Sequence, residues 1–415
     1  MKTIQVGICL LITFAVLAFG GAEPWGEAIL EIGAAVLLIL WGATVIRRGQ
    51  LEIQWNWLYI PVLGLAGFAL AQAMLGLSVY PYATKMELLR WGAYIILCFL
   101  AVESFRTERE LKSLAWFLVS LGFIVSLFGI IQYFTFNGKL YWSVVPDKNG
   151  GAFGPFVYHN HFAGFVELVA PFGLALIFSG RTPKGQLPAL SLFTVVPIAA
   201  LVLSGSRGGI TSFLLEVALL TLLLGVRKER GKRLLKAATL LIVTGVLLVW
   251  LGIGSTVQRF EQLFGSDGPA NGRLSLSRDA WQIFVHHPWI GTGLGTFETA
   301  YPRYASFYDG LRLDHAHNDY FELLAGTGLI GGVFGLAFVA VLFWFGYANL
   351  RSAQNPGRRA FYGSALAACA GILLHSFVDF NLHLPSNALL FLIYAGLATS
   401  CRPAPQPNRA PSSAS

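Results

Sequence analysis

Apolar runs of about 17–22 residues recur from one end of this 415-residue chain to the other, and each is long enough to cross a hydrocarbon core roughly 30 Å thick. Charged residues make up only 12% of the chain, against about 25% in a soluble domain. A membrane β-barrel would instead show segments of about ten residues with alternating polarity. The sequence therefore predicts an all-α, polytopic membrane protein.

The apolar runs divide into about twelve predicted transmembrane helices. They lie at 4–20, 27–46, 57–77, 90–105, 113–133, 161–180, 187–204, 208–226, 237–254, 321–347, 360–378 and 387–401. The first run leads straight into the second, so we interpret it as a retained helix and not as a signal peptide. Residues 1–401 are predicted to form a single membrane domain. The tail 402–415 is rich in Pro, Ala and Ser and is predicted to be disordered.

The basic residues sort by side of the membrane. If the N-terminus is cytoplasmic, 19 of the 29 lysines and arginines fall in cytoplasmic segments, which is the bias that the positive-inside rule describes. Both termini are therefore predicted to be cytoplasmic. The same distribution accounts for the net charge of +8 without nucleic acid as a partner. Segments 135–161, 204–209 and 255–320 then share the opposite face of the membrane.

Arg207 lies in a very short turn between two apolar runs, with no acidic residue nearby in sequence. An interfacial arginine can extend its side chain to lipid phosphates. Alternatively, Arg207 belongs to an anion site, because a guanidinium group binds phosphate oxygens through two parallel hydrogen bonds. The flanking glycines would let a ligand approach the backbone closely.

The long loop 255–320 concentrates polar residues between apolar runs and is predicted to contain short helices. Residues 274–285 have helical apolar spacing, and His286-His287-Pro288 ends that stretch. Arg273 and Arg278 lie five residues apart, so only one of them is expected to point into any given site. The segment 291–295 has the pattern G-x-G-x-G, but no βαβ unit surrounds it. We interpret it as a flexible turn over the membrane surface.

Two H-x-H pairs occur on the same predicted face, His159 with His161 and His315 with His317. In an extended segment the two side chains of such a pair point the same way, and four histidines offer a set of zinc ligands. A second interpretation is that one histidine is a general base, since its ordinary pKa near 6.5 suits proton abstraction at neutral pH. A third is that the histidines only cap a helix at the membrane interface.

An ordered set of motifs on this face resembles the superfamily of O-antigen ligases and polymerases, which are integral membrane glycosyltransferases with a C-type fold. The resemblance covers about 150–335, whereas the first four spans match only in hydropathy. Its motifs are Asn160 after the G-x-F-G-P-F stretch at 151–156, the turn Ser206-Arg207-Gly208, Arg273 before Pro288, the G-x-G-x-G turn with Phe297, and His317-Asn318 followed by Glu322 and Gly328.

The resemblance implies a periplasmic active site in a bacterial inner-membrane protein. The donor would be a glycan on undecaprenyl pyrophosphate, and Arg207 and Arg273 would hold its pyrophosphate. His317 would activate the acceptor hydroxyl, and the transfer would invert the anomeric configuration. No metal, nucleotide sugar or other cofactor would be required. Asn160, Asn318 and His315 are further candidate substrate-binding residues.

Arg278 remains an alternative to Arg273. Many family members carry Trp four residues after the loop arginine, whereas this chain has Ser277 there and Trp281 four residues further on.

Three functions compete on this reading. A ligase would transfer a glycan to lipid A-core or a similar acceptor, and a polymerase would transfer it to another lipid-linked repeat unit. A transporter or bicarbonate-accumulation protein is the third, but transporters favour ionisable residues near the bilayer midplane. Here the interiors of the spans are nearly free of charge, apart mainly from Glu103, Glu167 and Glu216. The sequence therefore favours chemistry at the membrane surface, with a weak preference for a ligase.

Overall fold

The computed structural model describes residues 1–145, 151–180, 182–225, 269–306 and 313–400. The predicted span at 237–254, the predicted disordered tail at 402–415 and parts of the long loop lie outside the described residues.

The described residues form α-helices joined by turns and short 3₁₀ segments, with no β-strand among them. We number the helices in chain order: α1 Lys2–Leu17, α2 Pro24–Arg48, α3 Tyr59–Met74, α4 Pro81–Ser104, α5 Glu108–Phe134, α6 His159–Ser179, α7 Leu187–Ser204, α8 Arg207–Leu224, α9 Pro269–His286, α10 Phe297–Ala300, α11 Asp319–Ser352, α12 Pro356–His375 and α13 Pro385–Thr399. The predicted all-α fold is confirmed.

Six helical segments in the described part of the chain are long and apolar enough to cross a membrane. They are α2, α5, α6, α8, α11 and the segment 184–204 that contains α7. The helices α1, α3 and α13 are apolar but shorter. The chain is thus a multi-pass membrane protein, and the total of twelve spans stays a prediction.

Helix α4 begins nine residues before the predicted span at 90–105. Pro81 lies in the first turn of α4, where the missing N–H of a proline costs the helix no hydrogen bond. The added turns carry charge, which is why hydropathy missed them. The guanidinium of Arg90 pairs with Glu27 of α2 at 2.6 Å and with Glu87 at 2.8 Å, so these charges join α4 to its neighbour.

Helix α6 lies at the centre of the molecule. It packs against α5, α7, α8 and α12, and 89% of the residues in its most apolar stretch are buried within the protein. By contrast, only 17% of the residues in the most apolar stretches of α2 and α11 are buried. These two helices present apolar side chains outward, as expected for helices that face lipid. A buried helix at the centre fixes the position of whatever its first turn carries.

The start of α6, the start of α8, the start of α11 and the end of α12 meet at one end of the bundle. The backbone N–H of Asp319 donates to the carbonyl of Ser376 at 3.0 Å. The side chain of Asn160 donates to Asp379. A Cβ placed on Gly208 would lie 2.8 Å from the His375 ring. Polar residues from four distant parts of the sequence are therefore brought together there.

The G-x-G-x-G segment is not a flexible turn over the surface, and that prediction is wrong. Residues 291–294 are buried, and the backbone N–H groups of Thr292 and Gly293 donate to the carbonyls of Ala325 and Gly326 at 2.9 and 2.8 Å. Gln72 donates to the carbonyl of Ile290 at 2.6 Å. The segment lies between the end of α3 and α11, where an added Cβ on Gly291 or Gly293 would overlap neighbouring atoms.

Helix α11 breaks at Gly328, whose backbone has φ 61° and ψ −159°. This break lies directly against the loop, because a Cβ on Gly328 would overlap the backbone at Trp289. The small residues of this stretch therefore let a loop approach a helix closely.

Replacing Gly291 by alanine is expected to destabilise the protein. Gly291 has φ +67°, and an added Cβ would overlap the backbone of Gly326. Strain of this kind costs on the order of 1–3 kcal/mol. The measurement is the thermal unfolding temperature of the purified protein in detergent. Gly67→Ala is the matched control, because its Cβ would meet nothing within 4 Å and alanine favours a helix. Equal unfolding temperatures for the two variants would contradict the packing described here.

Candidate active site

Asp379 is the centre of the polar end of the bundle. It follows α12, and its side chain is only 1% exposed. Its Oδ2 accepts a hydrogen bond from Asn160 Nδ2 and lies 3.6 Å from a guanidinium nitrogen of Arg273. Its Oδ1 lies 3.4 Å from His317 Nδ1 and accepts from the backbone N–H of Phe380 at 2.9 Å. One carboxylate thus gathers three residues that the sequence named as candidates.

The surroundings of Asp379 keep it ionised. Burial by itself raises the pKa of a carboxyl group, because the charged form loses its hydration. Here the neighbouring His317 ring and the positive charge of Arg273 outweigh burial and hold the pKa of Asp379 well below its usual range. Asp379 is therefore a permanent negative charge between a histidine and an arginine.

His317 is held in an uncommon backbone conformation directly before α11. Its φ is +51°, a left-handed value that non-glycine residues rarely adopt and that is often found at functional sites. Its side chain is 22% exposed. Because Nδ1 faces Asp379, a proton on that nitrogen leaves the lone pair of Nε2 available as a base.

Asn318 fixes this geometry from the other side. Its Oδ1 accepts from the backbone N–H groups of Tyr320 and Phe321 at 3.1 and 3.0 Å, which makes it the N-cap of α11. Its Nδ2 donates to the carbonyl of Phe377 at 3.0 Å. The sequence suggested substrate binding for Asn318, but its amide is engaged in joining the start of α11 to the end of α12.

The two loop arginines lie on the same helix and point in different directions. Arg273 donates to the carbonyl of Val378 at 3.4 Å in addition to facing Asp379. Arg278 is exposed and lies about 140° around α9 from Arg273, because successive helical residues turn by about 100°. The structure brings Arg273, and not Arg278, to Asp379.

Arg207 is the first residue of α8 and is exposed. The charge of Arg273 acts on Arg207, so the two arginines belong to the same polar end of the bundle. Ser206 is the N-cap of α8, because its side chain accepts from the backbone N–H of Gly209 at 3.2 Å.

The glycines beside Arg207 face the protein interior. Gly208 packs on His375 and Gly209 on Ala163, and His375 Nδ1 lies 2.8 Å from the buried carboxylate of Glu167. The sequence suggested that these two glycines let a ligand approach the backbone. In the structure they instead let the protein's own side chains approach it. Both glycines face inward because they lie where α8 packs against α6 and α12.

The four histidines of the two H-x-H pairs do not form one metal site. His159 and His161 lie in the first turn of α6, where residues two apart diverge. His159 contacts the carbonyl of Gly151 at 3.2 Å, whereas His161 is buried against the Phe380 ring. His315 and His317 also separate, because the left-handed residue interrupts the extended backbone on which the expectation rested.

His315 belongs to a second polar cluster beside Asp379. Its Nδ1 lies 2.8 Å from Glu322 Oε1, and His383 Nε2 lies 3.1 Å from the same oxygen. His383 Nδ1 lies 2.8 Å from Asp319 Oδ1. His315, Glu322 and His383 form a group whose geometry suits a metal ion, with one ligand atom of each within 4.8 Å of the others. Partial burial lowers the pKa of His383, but the carboxylates of Glu322 and Asp319 outweigh it and raise that pKa well above its usual value.

The sequence interpretation missed Asp379, Phe380 and His383. All three lie between the predicted spans at 360–378 and 387–401, in a segment that contains no lysine or arginine. Because the topology was predicted by counting basic residues, a segment without lysine or arginine drew no attention as a candidate site. The signal was nevertheless present, since acidic and histidine residues between two apolar runs fall on the same predicted face as His317.

Part of the chain is similar in sequence to known proteins. Residues 192–336 match the O-antigen ligase family, a region that contains Arg207, Arg273 and His317 and ends before Asp379. The chain is 26% identical over 302 residues to an O-antigen ligase of Pseudomonas aeruginosa, covering 69% of this chain and 67% of that protein. It is 28% identical over 196 residues to the exopolysaccharide production protein ExoQ of Rhizobium meliloti, covering 44% of each chain. Over residues 192–336 this membrane protein is therefore similar to the O-antigen ligase family, an enzyme class of the glycosyltransferase type.

Proposed function

We propose that the protein transfers a glycan from undecaprenyl pyrophosphate to an acceptor hydroxyl, such as one on lipid A-core, at the periplasmic face of the bacterial inner membrane. The observation that carries the proposal is the pairing of His317 and Arg273 on opposite oxygens of Asp379. A group able to activate an acceptor and a group able to bind a diphosphate thereby share one site.

His317 is the general base in this proposal. Asp379 holds a proton on Nδ1, so Nε2 accepts the proton of the acceptor hydroxyl as its oxygen attacks the anomeric carbon. The new bond forms on the face opposite the leaving group, which inverts the anomeric configuration. Asp379 is a positioning residue, because it orients the imidazole and stabilises the imidazolium that forms without itself taking the proton.

Arg273 and Arg207 bind the pyrophosphate. As the bond from the anomeric carbon to oxygen breaks, negative charge develops on undecaprenyl pyrophosphate, and the two guanidinium groups stabilise that charge. Side chains thus supply both the base and the charge stabilisation, so we propose that transfer does not depend on a metal ion or a nucleotide sugar.

The position of the site suits a donor with a long apolar tail. Four helix ends meet there, and apolar side chains of α2 and α11 lie exposed along the bundle. A polyprenyl chain can lie along such a surface while its pyrophosphate stays at the polar end. The bias of basic residues toward the opposite face supports a periplasmic site with both termini in the cytoplasm.

Polymerisation is the second candidate. The relative ExoQ is named for exopolysaccharide production, and a polymerase would use the same base and arginines with another lipid-linked repeat unit as acceptor. Transport has no comparable support, since the matches are to an enzyme family.

Replacing His317 or Arg273 is expected to abolish transfer, and replacing Arg278 is not. The assay is glycan transfer in proteoliposomes with purified undecaprenyl-pyrophosphate glycan and EDTA present. His317→Ala should lower the rate by about 10²–10⁴-fold, the usual contribution of a general base. Arg273→Ala should lower it by about 10²-fold or more. Arg278→Ala should keep a rate within about twofold, because Arg278 is exposed on the same helix and turned away.

Equal losses in Arg273→Ala and Arg278→Ala, or full activity of His317→Ala, would contradict the proposed site. A size-exclusion profile and an unfolding temperature equal to those of the unsubstituted protein show that each variant is folded.

The choice of acceptor separates the two candidate functions. Lipid A-core is supplied in one reaction and lipid-linked repeat units alone in another. Transfer to lipid A-core identifies a ligase, and chain growth on repeat units alone identifies a polymerase. Solute flux that responds to the His317 and Arg207 substitutions, with no glycan transfer in either reaction, would overturn the enzyme assignment of the site.

A further inference from the structure

We propose that His315, Glu322 and His383 bind a divalent transition-metal ion, with zinc as the ion that fits the donor set best. The three residues come from three segments: the loop before α11, the first turn of α11 and the 3₁₀ turn before α13. They converge on a single carboxylate oxygen, Glu322 Oε1. The sequence named His315 as a candidate substrate-binding residue, but the mechanism proposed above uses none of the three.

The donor set is chemically suited to zinc. Two imidazole nitrogens and one carboxylate oxygen are the ligands of a common class of zinc site that keeps its fourth position for water. With bonds of about 2.0–2.1 Å, tetrahedral ligand atoms lie about 3.3 Å apart. The two nitrogen–oxygen distances of 2.8 and 3.1 Å are close to that separation, so an ion requires only a small outward movement of the side chains.

Two of the three ligands, His383 and Glu322, have hydrogen-bond partners of the kind that orient metal ligands. A metal-bound histidine donates its other N–H to a carboxylate in many proteins, which fixes the ring and its tautomer. Here His383 Nδ1 lies 2.8 Å from Asp319 Oδ1, and Asp319 Oδ2 accepts from the backbone N–H of Leu382 at 3.2 Å. The second oxygen of Glu322 accepts from the backbone N–H of Ala316 at 2.8 Å. Two of the three ligands are thus already oriented.

Charge and access also favour an ion. The side chains of Glu322 and Asp319 are each only 7% exposed, and two buried carboxylates need positive charge nearby. A proton on His383 supplies part of that charge, and a divalent ion would supply it with both histidines neutral. The histidine side chains are 26% and 22% exposed, so an ion and a water ligand can enter from one side.

The ion would stabilise the fold around the active site and would not take part in the reaction. His315 stacks on the Phe380 ring with ring centroids 4.6 Å apart, and His317 contacts the same ring at 4.7 Å. Phe380 therefore lies between the metal cluster and the proposed base. An ion bound by His315 and His383 would tie the loop that carries His317 to the segment that carries Asp379.

The test is zinc binding by the purified full-length protein in detergent. The protein is stripped with EDTA, the chelator is removed, and ZnCl₂ is titrated against a chromophoric competitor, with metal content measured independently by mass spectrometry. We expect one saturable zinc ion per chain, and a rise in unfolding temperature on adding it. His383→Gln, Glu322→Gln and His315→Gln should each weaken binding at least tenfold.

His286→Gln is the matched control, because His286 is an exposed histidine on α9 outside the cluster and should bind zinc like the unsubstituted protein. His317→Ala should also bind zinc normally, so a failure of the proposed function leaves this test intact. Binding that is absent, or equal in the unsubstituted protein and in a folded His315→Gln variant, would overturn the proposal. Folding of each variant is judged from its size-exclusion profile before zinc is added, and His315→Gln is included because its half-buried ring is the easiest of the three to replace.

Discussion

The buried carboxylate of Asp379 requires hydrogen-bond donors and positive charge around it, because an ionised carboxylate in a low-dielectric site is costly unless it is paired. The chain meets that requirement with groups from the start of α6, from α9 and from the loop before α11. Each of these groups is thereby fixed in position relative to the others. The arrangement of the candidate active site follows from this one need for compensation.

The same end of the bundle holds two distinct histidine environments. His317 faces Asp379 and Arg273, whereas His315 and His383 face Glu322. The Phe380 ring separates them and contacts both. In the proposed mechanism this separation would let His317 exchange a proton with a substrate, while an ion bound by His315 and His383 would stabilise the loop that carries His317.

Hydropathy and local spacing predicted the parts of the structure that depend on nearby residues. They gave the all-α fold and the helix that ends at His286, whereas the family resemblance named Asn160, Arg273 and His317 as candidates. Hydropathy placed the start of α4 too late, because the omitted turns contain the charged residues Lys85 and Glu87, and Glu87 is neutralised by Arg90 only in the folded helix.

Contacts between distant segments could not be predicted in this way. Asn160 and Asp379 are 219 residues apart and become neighbours only because α6 packs against α12. The G-x-G-x-G segment has the local sequence of a surface turn. It is buried because Gln72, more than 200 residues earlier in the chain, hydrogen-bonds to it and next to it. The expectation that the side chains of each H-x-H pair point the same way was wrong for a local reason. One pair lies in a helix, and the other contains a residue with a left-handed backbone.

The most direct test of the account is a double-mutant cycle between Asp379→Asn and His317→Ala, read out as the rate of glycan transfer in proteoliposomes. If Asp379 acts through His317, each single substitution slows transfer by about 10²-fold or more. The double variant is then no slower than His317→Ala by more than a few-fold, because residues that act as a unit are not additive. Losses that multiply in the double variant, or a folded Asp379→Asn protein with an unchanged rate, would contradict the central role given to this carboxylate.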